Sequence, residues 1–178
     1  IILNNLEKNS ETQLTSLGVG KIFDNTVYSL NYSTLGNLST KGYATFSGTA
    51  YDQVLNTHTK ILSISGGVHQ NLGKLFFEPK LELGVGRSVT TGTQGREVSG
   101  TGSFPDNTEY HLVSGISLSL GYEIMEDISL IADFGYLSLG VVKTGKVGGT
   151  PPSGMNTGEQ LLSELSVSSV SLILRYMF

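Results

Sequence analysis

The chain has 178 residues, room for a single domain over 1–178, with 23 glycines, 4 prolines and no cysteine. Charged residues make up only 15%, well below the roughly 25% of an average soluble protein. The net charge of −4 lacks the basic footprint that a nucleic-acid partner requires. Without cysteine there is no disulfide scaffold and no thiolate metal site. No apolar run is long enough for a transmembrane helix. The opening Ile1-Ile2-Leu3 carries no basic leader, as expected of a mature or trimmed form of an exported protein.

From its start the dominant pattern is alternation with a period of two, the signature of strands. Ile1–Leu3 is expected to be the stub of a first strand, with 4–12 as its loop; the alternative places that strand at 41–51. Clear strands are expected at 13–23, 26–36, 58–70, 74–89, 108–123, 127–143 and 160–178. The first three carry Leu17 and Val19, then Tyr28, Leu30 and Tyr32, then Leu62, Ile64 and Val68 on one face. In the fourth, Phe77, Pro79, Leu81, Leu83 and Val85 alternate with Glu78, Lys80, Glu82 and Gly84. Pro79 cannot donate to a ladder, so it marks a strand end or a bulge. In the fifth, the row from Tyr110 to Tyr122 alternates with His111, Val113, Gly115, Ser117, Ser119 and Gly121. In the sixth, Leu130, Ala132, Phe134 and Tyr136 alternate with Ser129, Ile131, Asp133 and Gly135. In the last, Val170, Leu172, Leu174, Tyr176 and Phe178 alternate with Ser169, Ser171, Ile173, Arg175 and Met177.

The second face decides the class. It is mostly Gly and Ser with isolated charges, while the apolar face is capped by aromatics, among them Tyr122, Phe134 and Tyr136. That suits a barrel with lipid outside and polar side chains inside, its aromatics forming a girdle at the headgroups. Connections alternate between short turns (24–25, 71–73, 125–126) and long segments (36–58, 89–107, 144–159), the rhythm of short periplasmic turns and long outer loops. The expected fold is an all-β, antiparallel, transmembrane up-and-down barrel of about eight strands in a bacterial outer membrane. A soluble lipocalin-like barrel is the rival fold and predicts an apolar interior with a polar exterior.

The terminal Leu172-Ile173-Leu174-Arg175-Tyr176-Met177-Phe178, with Gly18-Val19-Gly20-Lys21-Ile22-Phe23-Asp24-Asn25 and Glu82-Leu83-Gly84-Val85-Gly86, resembles the OmpA/OmpX-like eight-stranded outer-membrane barrels. The resemblance spans about Leu14 to Phe178. It implies that the row Val170, Leu172, Leu174, Tyr176 and Phe178 faces lipid and serves as the signal read by the barrel-assembly machinery.

The candidate chemistry lies on the polar face. Glu78, Lys80, Glu82, Asp133 and Arg175 are expected to form a lumen charge network, since isolated charges in a narrow lumen are costly. A salt-bridged plug is the preferred reading, and a gate or ion path is the functional alternative. His58, His69 and His111 admit a Ser–His lipid-modifying enzyme as a further alternative. Metal-ligand spacings are absent from the sequence, and neither Gly84-Val85-Gly86 nor Gly95-Arg96 is followed by the helix a phosphate loop needs. The expected role is structural or surface interaction, adhesin-like or in host or envelope contact, through the long loops. Expected partners are outer-membrane lipids, the assembly machinery and a host or envelope surface ligand, with no cofactor, no metal and no nucleic acid.

Overall fold

The structure is a computed structural model. It describes residues 4–7, 12–46, 49–96, 100–149, 155 and 157–177, with side chains for 12–43, 51–95, 102–149, 155 and 157–177. Among these residues there is no helix. The strand segments are β1 (Asn4–Glu7), β2 (Leu14–Phe23), β3 (Thr26–Phe46), β4 (Thr49–Val68), β5 (Gln70–Leu72), β6 (Leu75–Arg96), β7 (Gly100–Met125), β8 (Ile128–Lys143) and β9 (Leu162–Tyr176). β5 continues β4 past His69, which leaves eight strands in one antiparallel up-and-down sheet curled into a half-barrel.

Three two-residue turns, Asp24–Asn25, Gly73–Lys74 and Glu126–Asp127, close hairpins at one end of the sheet. Asp24 and Gly73 take positive φ (52° and 79°), the left-handed geometry that tight hairpins use and that Gly, Asp and Asn tolerate. At the other end β3 and β4, and β6 and β7, run far past the apolar rows as long hairpins.

This corrects the sequence reading of 36–58 and 89–107 as long loops. Alternation persists there, but the outward residues turn polar (Asn56, Asp52, Thr91, Thr93), so the segments read as loop although their inward residues are buried. Nor does 41–51 form an additional strand. Its residues 41–46 belong to β3 and 49–51 to β4, paired across the two strands. Asn4–Glu7 is not a loop either: β1 pairs with β3 at Tyr43 and Lys41, end to end with β2 along the same edge. Ile1–Leu3 lie outside the described residues.

Pro79 stands where the β4–β6 ladder, ending at Gly67↔Lys80, gives way to the β5–β6 ladder, beginning at Gln70↔Phe77. Register is kept across the interruption, and His69 N donates instead to Asn25 O at 2.8 Å. The missing proline donor therefore falls where no ladder bond is made. β2 and β9 are the lateral edges of the curl, and no ladder joins them among the described residues.

Faces are inverted relative to a soluble protein. Leu17 (77% exposed), Leu112 (83%) and Val170 (77%) point outward with the other apolar rows. Inward are Ser33, Ser63, Ser65, Ser119 and Glu78, all buried. An apolar core also exists, inside the curl in the half nearer the long hairpins. It is built from Leu35, Leu55, Ile61, Val113, Leu139 and Leu161 with their neighbours.

Candidate functional site: a polar lumen stopped at both ends

The inward face of β6 sets the site. Glu78, Lys80 and Glu82 follow one another at steps of two, so all three enter the lumen. β8 brings Asp133 and β9 brings Arg175 to the same level near the short turns. Glu78 is fully buried (0% exposed) and receives both guanidinium nitrogens of Arg175 at 2.7 Å. His69 Nδ1 lies 2.9 Å from its Oε1. Lys80 Nζ is 3.2 Å from Asp133 and 3.9 Å from Glu78. Two carboxylates and two permanent cations thus balance, which is the condition for burying them. Ser119 donates to Asp133. Glu82 stands one step higher, outside these ion pairs, and accepts from Ser63.

Phe76 forms the floor. Its ring lies 5.1 Å from that of His69, and the Arg175 guanidinium carbon stands 5.4 Å from its centroid. Gly121 is its cross-strand partner on β7, and a Cβ there would run into the Phe76 ring. The sequence reading did not single out this floor residue, although the parity that puts Phe77 in the outward row puts Phe76 on the face of Glu78.

Above the charges is a cavity of about 180 Å³ lined by serines, Asn31, Lys80, Glu82 and Asp133, polar and roomy enough to admit water. Hydroxyls pair across neighbouring strands: Ser16–Ser33 and Ser29–Ser65, both at 2.6 Å. Higher still, Thr59, Ser88 and His111 form a chain, with Ser88 Oγ 2.7 Å from both Thr59 Oγ1 and His111 Nε2. Ser88 is buried in the lumen wall, and no carboxylate bonds His111 Nδ1 among the described residues. The pair therefore lacks the access and the orienting third group of an activated nucleophile. His58 points outward on β4, away from the Thr59–Ser88–His111 chain and the charge network.

The upper end is closed by the apolar core. The stretch 144–159, expected as a long loop, is tied down at its described ends. Thr144 N bonds Leu161 O (3.0 Å), Val147 N bonds Glu159 O (2.9 Å) and Gly145 N bonds Pro105 O (2.8 Å). Val147, Met155 and Leu161 enter the core beside Phe104. Pro151-Pro152 of this segment and Glu97 of the β6–β7 tip lie outside the described residues.

On the outside, Val170, Leu172, Leu174 and Tyr176 form one exposed row on β9. Phe178 lies outside the described residues. Tyr122 faces outward near the short turns, Tyr136 near the opposite margin of the apolar rows, and Phe134 one step inside it. No group of acids and histidines able to hold a metal occurs among the described residues. No protein-family model, curated protein or solved structure matches the chain.

Proposed function

We propose that this chain is an integral outer-membrane β-barrel of the OmpA/OmpX-like kind, non-conducting, with a structural or surface-interaction role exercised through its long hairpins. The observation that carries the membrane reading is the outward apolar face. On β6 it runs eleven residues, ten steps from Leu75 to Val85. That is about 33 Å along the strand at ~3.3 Å per residue, or about 25 Å across the membrane at a tilt of roughly 40°. Transmembrane barrels carry a band of that height. On this reading the two-residue turns are periplasmic and the hairpins extracellular.

The filling of both ends of the curl, by charges near the short turns and by apolar side chains near the long hairpins, supports a structural or surface role over a channel. Ions entering from the short turns meet Phe76 and the Glu78–Arg175 pair, and those entering from the hairpins meet packed Leu and Val. Partners consistent with the reading are outer-membrane lipids, the assembly machinery acting on the β9 row, and a host or envelope surface ligand at the hairpin tips. Planar-bilayer recording tests the role: the refolded protein is expected to give no discrete openings, and steady unitary currents would overturn the closed-lumen reading in favour of a narrow channel.

A further inference from the structure

Lys60 on β4 and Arg87 on β6 are direct cross-strand partners, and both are exposed on the outward face. Like charges directly opposite each other destabilise a sheet, yet neither residue has an ion pair or side-chain hydrogen bond among the described residues. Their outward neighbours are Thr34, His58, Leu62, Val85, Val89 and Tyr110, none of them acidic. One step below, at Leu62 and Val85, the apolar face begins. The pair therefore sits on its margin on the long-hairpin side, level with the Tyr110 ring.

A second feature starts two steps below the pair, past Leu62 and Val85. An open apolar groove on the outer surface is lined by Leu30, Ile64, Leu81 and Leu83, with Tyr28 and Lys21 on one side and Gly66 as part of its floor. Gly66 is not required by the backbone: a Cβ there would meet the Tyr28 ring at an ordinary 3.6 Å. Its neighbour Gly67 differs, since a Cβ would collide with the Pro79 carbonyl. The missing side chain at 66 leaves the groove open, and nothing in the packing demands it.

We infer that Lys60, Arg87 and the groove beneath them form a binding site for one phosphate-bearing anionic lipid of the leaflet on the long-hairpin side. The phosphate would lie between the two cations and an acyl chain along Ile64, Leu83 and Gly66. The guanidinium supplies a fork matched to phosphate oxygens and the ammonium a second point charge, so the headgroup removes the repulsion that the bare sheet leaves. The inference rests on the membrane reading above.

Native mass spectrometry of the whole chain, refolded in a neutral detergent, tests it with phosphatidic acid, phosphatidylcholine and inorganic phosphate as probes. The expected result is retention of phosphatidic acid over phosphatidylcholine on the order of tenfold, the worth of one charge-assisted hydrogen bond. The preference is lost in the double variant Lys60→Ser/Arg87→Ser. Gly66→Leu, which fills the groove and leaves the cations in place, should weaken phosphatidic acid and leave inorganic phosphate unchanged. Heat-modifiable gel migration establishes that each variant is folded. An unchanged preference in the double variant overturns the site, and so does inorganic phosphate binding as well as the lipid, which would make the pair a free-anion site. Either outcome leaves the barrel standing. A chain that folds and stays soluble without detergent overturns the membrane reading and the site with it.

Discussion

The two ends of the lumen are closed by opposite chemistry. Near the short turns the stopper is electrostatic: Glu78 bound bidentately by Arg175, Lys80 bridging to Asp133, and Phe76 beneath them. Near the long hairpins it is apolar, with Leu35, Leu55, Leu139, Val142 and Leu161 packed at the level of a soluble core. The difference follows from what each end can recruit. Two-residue turns have no chain to spare, so the lower lumen must be filled by side chains that reach across it, and long charged ones do. The upper end has the stretches 144–149 and 157–161, which hydrogen-bond to each other and bring Val147 and Leu161 into the core with Met155.

The contrast can be broken from either side. Glu78→Ala leaves Arg175 and Lys80 facing each other without the central carboxylate, and should cost about 3–5 kcal/mol, as removal of one partner from a buried ion pair does. Urea unfolding in detergent or lipid, followed by heat-modifiable migration, measures it; a loss below about 1 kcal/mol would mean that the lower stopper is solvated. Leu161→Ala should cost about 2–5 kcal/mol through the cavity left in the upper core, by the same assay. Each variant alone should still give no bilayer current, because the other end stays shut, and a current from either would show that one stopper does all the sealing. Gly121→Ala pushes a methyl into the Phe76 ring and should cost roughly 1–3 kcal/mol as overpacking. The smallest effect is expected at Lys143 Nζ–Glu109 Oε1, 2.8 Å apart but with the lysine half exposed. Glu109→Gln should cost under about 1 kcal/mol, and the loss should shrink as salt is added.

Much of the fold was legible because alternation survives without long-range information. The outward rows of β6, β7 and β9 could be read residue by residue, and parity alone placed Glu78, Lys80, Glu82, Asp133 and Arg175 on one face. Which of them meet was not legible. Arg175 and Glu78 are 97 positions apart, and only the register through β7 and β8 brings them together while leaving Glu82 to Ser63. The long hairpins were missed because outward residues beyond the apolar rows turn polar, which erases the contrast that marks a strand. The upper core was missed for the same reason, since Val147, Met155 and Leu161 lie in a Gly- and Thr-rich stretch with no period. The Lys60–Arg87 pair lies 27 positions apart in sequence and becomes a pair only through the β4–β6 register.

The central claim, that the exposed apolar rows face lipid, has a direct measurement. The chain has no tryptophan, so a single one introduced by Leu118→Trp, in the middle of the β7 row, or by Thr93→Trp, on the hairpin beyond it, reports one place. In bilayers whose acyl chains are brominated, the residue at 118 is predicted to be strongly quenched and the one at 93 to fluoresce as in unbrominated lipid. Equal fluorescence of the two, unchanged by bromination, would contradict the account.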